Sequence, residues 1–139
     1  MKNIFNIILV LFTLTFSTEI LAHEGHDHDG PAAVQAPKGG VIKSLEEVHV
    51  EVVAKGKDVK IYLYDETLKP ADVANYKVTA TAELPRNKKS EAISLKAQGK
   101  YFEATYDAKG AHRYTLVLTI TDPKHKHEDK LNFTIEPRR

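Results

Sequence analysis

The chain has 139 residues, no cysteine and a formal net charge of +1 at pH 7 with histidine neutral. The absence of cysteine excludes disulfides, a thiolate metal site, a cysteine nucleophile and a lipid anchor attached through an N-terminal cysteine. Lysine and arginine are interspersed with glutamate and aspartate, so the charge pattern does not indicate a nucleic-acid partner.

Residues 1–22 have the pattern of a secretory signal peptide. Lys2 supplies the positive start, residues 4–16 are apolar, and a short polar stretch ends at Ala22. The apolar run is shorter than the roughly 18–20 residues that a membrane span requires, which disfavours an uncleaved anchor. Ile20 is larger than the residue preferred three positions before a cut, so the site could shift. We expect cleavage after Ala22 and a soluble protein in the periplasm of a Gram-negative cell, without a stable membrane anchor.

Residues 23–40 form a polar segment without apolar periodicity, which prolines and a Gly-Gly pair interrupt. Such a segment cannot bury enough apolar surface to offset the entropy of ordering, so we predict a flexible, disordered arm. It opens with HEGHDHDG, which contains three histidines and three carboxylates: His23, His26, His28, Glu24, Asp27 and Asp29.

The composition of this opening suits a divalent transition-metal ion, namely Zn, Cu, Ni or Co. Imidazole nitrogens are good ligands for such ions, while neighbouring carboxylates attract cations and accept hydrogen bonds from the distal ring nitrogen. Short His-rich tracts are a recognised metal-binding composition. We therefore predict the three arm histidines as ligands, with Glu24, Asp27 and Asp29 supporting them. The alternative is a solvated polar leader that binds no metal.

From residue 41 the sequence alternates apolar and polar residues with period two, which is typical of half-buried strands. In the first of these strands His49 and Glu51 share the polar face. The connection 55–58 predicts a hairpin, and the longer crossing after Pro70 predicts a change of sheet. The predicted apolar faces are, in chain order, Val48, Val50 and Val52; Val59, Ile61 and Leu63; Val78, Ala80, Ala82 and Leu84; Ile93 and Leu95; Phe102, Ala104 and Tyr106; Tyr114, Leu116, Leu118 and Ile120; and Leu131, Phe133 and Ile135.

These segments make about seven strands, and the one candidate for a helix is a turn near residues 71–75. We therefore predict an all-β domain over residues 41–137, an antiparallel β-sandwich of immunoglobulin-like type. Function in such folds usually lies on the loops at the two ends or on an exposed face.

The predicted last hairpin holds a second pair of histidines, His125 and His127, next to two carboxylates. Two histidines at this spacing on a loop can chelate a metal weakly. The flanking Lys124 and Lys126 repel a cation, which favours an exposed charged turn instead. We keep His125 and His127 as a second candidate pair of ligands.

Cleavage after Ala22 would make His23 the amino terminus, which offers an α-amine and an imidazole to one metal and favours Cu(II). A further nitrogen from His49 or His112 would complete the three-nitrogen brace of a copper oxidase. A flexible arm rarely preorganises such a site. His49 is more typical of a surface residue, and His112 of a residue that packs or caps a loop.

The sequence contains no G-x-S-x-G, H-E-x-x-H, P-loop or glycine fingerprint, and its carboxylates fall at outward-facing strand positions. We expect no enzymatic activity. Tyr62, Tyr64 and Tyr106 could line an exposed aromatic face, although aromatic pairs across strands mostly serve packing.

Several short motifs resemble the N-terminal accessory region of periplasmic adaptor proteins from heavy-metal efflux systems, and small free-standing periplasmic relatives of that region. They are the His-rich leader, Gly39-Gly40-Val41, Glu51-Val52-Val53, Lys55-Gly56-Lys57, Ile61-Tyr62-Leu63-Tyr64-Asp65 and Lys69-Pro70. Residues 23–70 carry these motifs, whereas residues 71–137 match by general strand pattern. The resemblance implies metal traffic in the periplasm. The chain lacks an adaptor's helical hairpin, lipoyl-like domain and membrane-proximal barrel, so it cannot bridge two membranes alone.

The sequence therefore predicts a non-catalytic periplasmic protein that binds divalent transition metals and serves as a buffer, delivery or sensing accessory to heavy-metal efflux or resistance. Its single methionine disfavours a Cu(I) carrier of the methionine-ligand kind. The alternative is a domain that binds an efflux-system or other envelope protein through a sheet edge or tyrosine face, with an incidental His arm.

Overall fold

A computed structural model describes residues 33–122, 124 and 126–137, with Lys88 described by its backbone alone. The predicted signal peptide and the arm residues 23–32 lie outside the described residues. Within the described ranges, no helix has the length and apolar character needed to cross a membrane.

The described residues form nine strands and one short 3-10 helix. The strands are β1 (Val41–Ser44), β2 (His49–Lys55), β3 (Asp58–Tyr64), β4 (Lys77–Leu84), β5 (Asn87–Ile93), β6 (Lys96–Ala97), β7 (Tyr101–Thr105), β8 (Tyr114–Thr121) and β9 (Glu128–Ile135). The 3-10 helix, Val73–Asn75, lies between β3 and β4.

The strands pair in two antiparallel sheets. Sheet A has the order β1-β2-β3-β7-β6, and sheet B has the order β5-β4-β8-β9. One cluster of buried apolar side chains includes residues of both sheets, as expected of a β-sandwich. The prediction of an all-β antiparallel fold is confirmed.

The core consists of the apolar faces predicted from the sequence. Ile61, Leu116, Leu118 and Phe133 are fully buried at its centre. The predicted core residues that stay partly exposed, Val78, Leu84, Leu95 and Leu131, pack against the same cluster. Period-two alternation therefore identified the inner faces of both sheets, because successive side chains of a strand point to opposite sides.

Two strands were not predicted. β1 is a four-residue edge strand that pairs with β2 alone, and its Val41 is 45% exposed, so it has no clear apolar face. The segment predicted as one strand over residues 91–97 divides between the sheets, with β5 pairing to β4 and β6 to β7. Ile93 and Leu95 both contact the core across this crossing, so the alternation continues while the chain changes sheets.

The predicted connections are confirmed at two places. Gly56, at φ +61°, follows the last residue of β2 and supplies the positive φ that the first central residue of a two-residue type II′ hairpin requires. After Pro70 the chain passes from sheet A to sheet B through the 3-10 helix, whose first turn is capped by the Asp72 carboxylate. Val73 in this helix is fully buried and anchors the crossing.

Candidate functional site

Glu51, near the middle of β2, is a fully buried charged side chain. Strand alternation places it on the outer face of sheet A, opposite to the core face that carries Val50 and Val52. We expected the carboxylates of strand residues to face solvent. For Glu51 this was wrong, because a turn of the preceding chain covers it.

Four hydrogen bonds hold the Glu51 carboxylate. Oε1 accepts from the backbone amides of Lys38 at 3.0 Å and Gly40 at 2.7 Å, and Oε2 accepts from the Lys38 amide at 3.1 Å. The Tyr64 hydroxyl donates to Oε2 at 2.8 Å. Successive amides of a turn form a concave anion-binding nest, and bonds to an ionised acceptor are stronger than neutral ones. The buried charge is thus compensated by donors from two parts of the chain, the turn before β1 and the end of β3.

The covering turn comprises residues 36–40, and we call it the Glu51 turn. The Gly39 amide donates to the Ala36 carbonyl oxygen at 3.2 Å, and Gly39 has φ +76°, which favours glycine. At Gly40 a side chain would collide with the Val52 carbonyl oxygen of β2. The Gly-Gly pair therefore permits both the turn and its close approach to sheet A. Residues 36–40, which the sequence predicts to be part of the arm, are held against the domain.

An aromatic row lies beside Glu51 on the outer face of sheet A. The Tyr62 ring stacks on Tyr64 at 6.4 Å between centroids and contacts Tyr101 at 5.3 Å. The Lys38 ammonium lies 5.7 Å above the Tyr62 ring, and that of Lys60 lies 5.2 Å from the Tyr101 ring. Tyr62 and Tyr101 are half-buried, whereas Tyr64 is buried. This row therefore offers two partly accessible rings and two cations.

Tyr106 does not belong to the outer face. It lies in the core, where its ring contacts that of Tyr114 at 4.7 Å. The hydroxyls of both residues are buried, and neither has a hydrogen-bond partner among the described residues. The pKa of the Tyr106 hydroxyl is raised, first by burial and then by the nearby charge of Glu91. The Glu91 carboxylate nevertheless does not meet hydrogen-bond geometry with this hydroxyl. For Tyr62, Tyr64 and Tyr106 the sequence left two roles open, an exposed aromatic face or packing. Tyr64 and Tyr106 are buried and serve packing.

Burial also raises the pKa of other tyrosines. It raises the pKa of Tyr114 to about 12, and the charge of Tyr106 contributes in the same direction. The pKa of Tyr64 is raised further, first by burial and then by the hydrogen bond to Glu51. In each case the neutral phenol is favoured because the phenolate would lose its hydration.

The described histidines lie in three separate surroundings. His49, on the outer face of β2, is half-buried and its Nδ1 lies 2.7 Å from the Ser44 hydroxyl oxygen. His127 is exposed, with Nε2 3.4 Å from an Asp129 oxygen. His112 is exposed at the opposite end of sheet B. Within the described ranges, no three or more His, Asp or Glu residues come together as a metal site.

The arm residues His23, Glu24, His26, Asp27, His28 and Asp29 lie outside the described residues, as does His125. Of the predicted pair on the last hairpin, the structure describes His127 and brings it close to one carboxylate.

Two grooves at opposite ends of sheet B differ in charge. An acidic groove of about 350 Å³, between the β1–β2 and β8–β9 turns, is lined by Glu46, Glu47, Asp122, His127 and Asp129 together with apolar residues. Tyr76 also lines it, and its pKa is raised by burial and by the nearby carboxylates of Asp122 and Glu47. The lining of this groove therefore contains four carboxylates, which attract cations.

The basic groove, of about 540 Å³, lies between the β4–β5 turn and the chain before β8. Its lining includes Arg86, Lys109, His112 and Arg113. Lys109 forms an ion pair with Glu91 at 2.7 Å, which leaves the two arginines beside His112. Because like charges repel, a metal cation is disfavoured at His112.

Comparison with protein-family models, curated proteins and solved structures found no match to this chain. The resemblance to accessory regions of heavy-metal efflux adaptors therefore stays a prediction.

Replacing Glu51 by glutamine should lower the free energy of unfolding by about 3 kcal/mol, because hydrogen bonds to a charged group contribute roughly 1.5–3 kcal/mol each and one glutamine oxygen cannot replace two. Urea unfolding measures the loss. Hydrogen exchange should also show faster exchange at the amides of Lys38 and Gly40. Glu66→Gln, at an exposed position, is the control and should change neither quantity. Unchanged amide protection in Glu51→Gln would contradict this role of Glu51.

Replacing Tyr114 by phenylalanine should leave stability at pH 7 within about 1 kcal/mol, since its hydroxyl has no partner among the described residues. The matched variant Tyr64→Phe removes the bond to Glu51 and should be clearly destabilised.

Tyr114→Phe also tests how the stability of the fold depends on pH in the alkaline range. The pKa of a tyrosine is about 10 in the unfolded chain. When folding raises that pKa, the side chain makes its full contribution to the free energy of unfolding below pH 10. For Tyr114 that contribution is lost as the pH rises through its folded pKa of about 12. Tyr114→Phe should therefore reduce the fall in stability between pH 10 and 12, measured by urea unfolding. A fall as steep as in the parent protein would show that Tyr114 does not cause it.

Proposed function

We propose that this protein is a non-catalytic, periplasmic binder of divalent transition-metal ions and that His23, His26 and His28 are its first ligands. The observation that carries the proposal is the sequence HEGHDHDG, which combines three imidazoles with three carboxylates. We also propose that the described β-sandwich is of immunoglobulin-like type and that the chain is exported through residues 1–22.

The Glu51 turn supports a division of labour between arm and domain. Seven residues separate His28 from Ala36, where the turn begins. The two amides that bind Glu51 attach the turn to sheet A, so the arm has a defined point of origin on the domain. We propose that the ligands lie on the preceding segment, whose composition predicts that it can wrap around an ion. Such a site has modest affinity and rapid exchange, which suits a buffer or delivery protein.

His127 supports a weaker second site at the acidic groove. Its Nε2 faces the Asp129 carboxylate, and Glu46 lines the same groove. His125, two residues earlier in the chain, is the further ligand that we propose there. The negative potential of the groove offsets part of the repulsion from Lys124 and Lys126.

The proposed role is accessory to heavy-metal efflux or resistance. Binding to Zn, Cu, Ni or Co outside the cytoplasm would lower the free metal concentration and present the ion to an efflux component. Because imidazoles must lose their protons to bind, metal should be released as the pH falls below about 6.

A triple variant in which His23, His26 and His28 become alanine should bind Zn(II), Cu(II) and Ni(II) at least about tenfold more weakly. Isothermal titration calorimetry at pH 7.5 measures the affinity, and at pH 5.5 the parent protein should also bind weakly. Mass spectrometry of the sample first identifies its N-terminus, which cleavage after Ala22 places at His23. The control His112→Ala should bind as the parent does. Equal affinities in the parent and the triple variant would refute the proposed site.

A second candidate function is strand-mediated binding to an envelope protein. β1 is an edge strand with one paired side, and its Val41 is 45% exposed. An edge of this kind can accept a strand from a partner. Pull-down from periplasmic extract should give the same captured proteins with and without a chelator if this is the function. Replacing Val41 by proline, which cannot donate to a strand ladder, should then abolish capture.

A further inference from the structure

We infer that the basic groove at one end of sheet B is a binding site for an amphipathic anion, namely a phosphate or carboxylate group carried on an apolar chain. The groove lies between the β4–β5 turn and residues 108–113, before β8. All of its lining residues belong to the described domain, so the site does not depend on metal binding by the arm. Two unpaired arginines, an apolar lining and a braced wall indicate this class of ligand.

Arg86 and Arg113 supply positive charge that the fold does not neutralise. Both are exposed residues of the groove, and neither guanidinium forms an ion pair with another described residue. The residues that line the groove include no aspartate or glutamate. A guanidinium presents its N–H donors in a planar fork that matches the oxygens of a carboxylate or phosphate. The two arginines therefore favour an oxyanion, and His112 in the same groove offers a further N–H donor.

Two carboxylates near the groove are already paired with lysines. The Lys57 ammonium lies 2.7 Å from an Asp107 oxygen, and the Lys109 ammonium lies 2.7 Å from a Glu91 oxygen. Glu136, which follows β9, is not one of the residues that line the groove. Because Asp107 and Glu91 are engaged elsewhere, the charge of the two arginines remains available to a ligand that carries negative charge.

Apolar residues also line the groove. Leu84 ends β4 and Pro85 follows it, while Ala108 and Ala111 belong to the chain before β8. Ala108 is buried, and Leu84 and Ala111 pack against the domain core. The volume of about 540 Å³ lies in the range of small-molecule sites. An inorganic ion would use the arginines alone, whereas an anion on an apolar chain would also remove this apolar lining from water.

One wall of the groove, the chain between β7 and β8, is braced by its own contacts. Lys109 at φ +51° and Gly110 at φ +80° are consecutive left-handed residues, a conformation that is uncommon for lysine. The Lys109 amide donates to an Asp107 carboxylate oxygen at 2.9 Å, and the Ala111 amide donates to the Ala108 carbonyl oxygen at 2.9 Å. The two lysine–carboxylate pairs attach the same wall to the β2–β3 turn and to β5. Strained backbone that is held in this way is common at ligand sites, because it positions the binding groups before the ligand arrives.

The first test titrates octyl phosphate into the full chain, below the concentration at which it forms micelles, and follows the amide resonances by NMR. Saturable shifts should concentrate at residues 84–87 and 108–113. Ethyl phosphate carries the same headgroup on a shorter chain and should bind at least about tenfold more weakly, because each buried methylene adds affinity. Octyltrimethylammonium keeps the chain and reverses the charge, and it should not produce these shifts.

The second test replaces Arg86 and Arg113 together by glutamine. This double variant should bind octyl phosphate at least about tenfold more weakly, because both guanidinium contacts are lost. The matched control replaces Lys55 and Lys89 together by glutamine. It removes the same number of charges at exposed positions outside the groove lining, and it should bind as the parent does. Since all four side chains are exposed, urea unfolding should give the same midpoint for both variants and the parent.

Equal affinities of the parent and the double arginine variant for octyl phosphate would overturn the inference. Shifts confined to another surface, such as that of Tyr62 and Tyr101, would also overturn it. Equal affinities for ethyl and octyl phosphate would do the same, because charge alone would then explain binding.

Vesicles distinguish two sources of the ligand. If the parent sediments with phosphatidylglycerol vesicles but not with phosphatidylcholine vesicles, and the double arginine variant sediments with neither, the anion is a lipid headgroup. If the parent sediments with neither while octyl phosphate binds in solution, the ligand is a free amphiphile. The metal titrations of the arm histidine variant are a separate measurement, so failure of this inference and failure of the proposed function are distinguishable.

Discussion

The buried carboxylate of Glu51 is the constraint on which the rest of the outer face depends. An ionised carboxylate without partners in a protein interior costs several kcal/mol, so its burial requires donors at fixed positions. Here the donors come from Lys38, Gly40 and Tyr64. They belong to the segment before β1 and to the end of β3, whereas Glu51 belongs to β2. One charge therefore joins three regions of the chain.

This arrangement explains why a glycine pair precedes the first strand. The nest needs a turn with a left-handed residue, Gly39, and the turn must lie against the Val52 carbonyl, where Gly40 leaves room. The result is a firm attachment at the start of the domain. The turn between β1 and β2 carries the exposed side chains of Glu46 and Glu47.

The strands were largely predictable because each has a strictly local signal. Val50, Ile61 and Phe133 fall where alternation placed them, on the core face. The same signal failed at β1, which is too short and too exposed to alternate, and at the crossing between β5 and β6, where the apolar pattern continues across a change of sheet. Glu51 was missed for another reason. Alternation assigns a residue to the outer face but does not reveal what covers that face.

The sequence by itself determined the all-β class and the apolar faces of the core, because these follow from local periodicity. The prediction of metal binding at HEGHDHDG rests on the sequence alone, since it follows from the chemistry of individual side chains. Only the tertiary structure decided that Glu51 is buried, that Tyr106 packs inward on Tyr114, and that His112 lies in a groove with two arginines. Burial and electrostatic potential at a residue are produced by segments distant in the chain. They exist only once the two sheets and the Glu51 turn have come together.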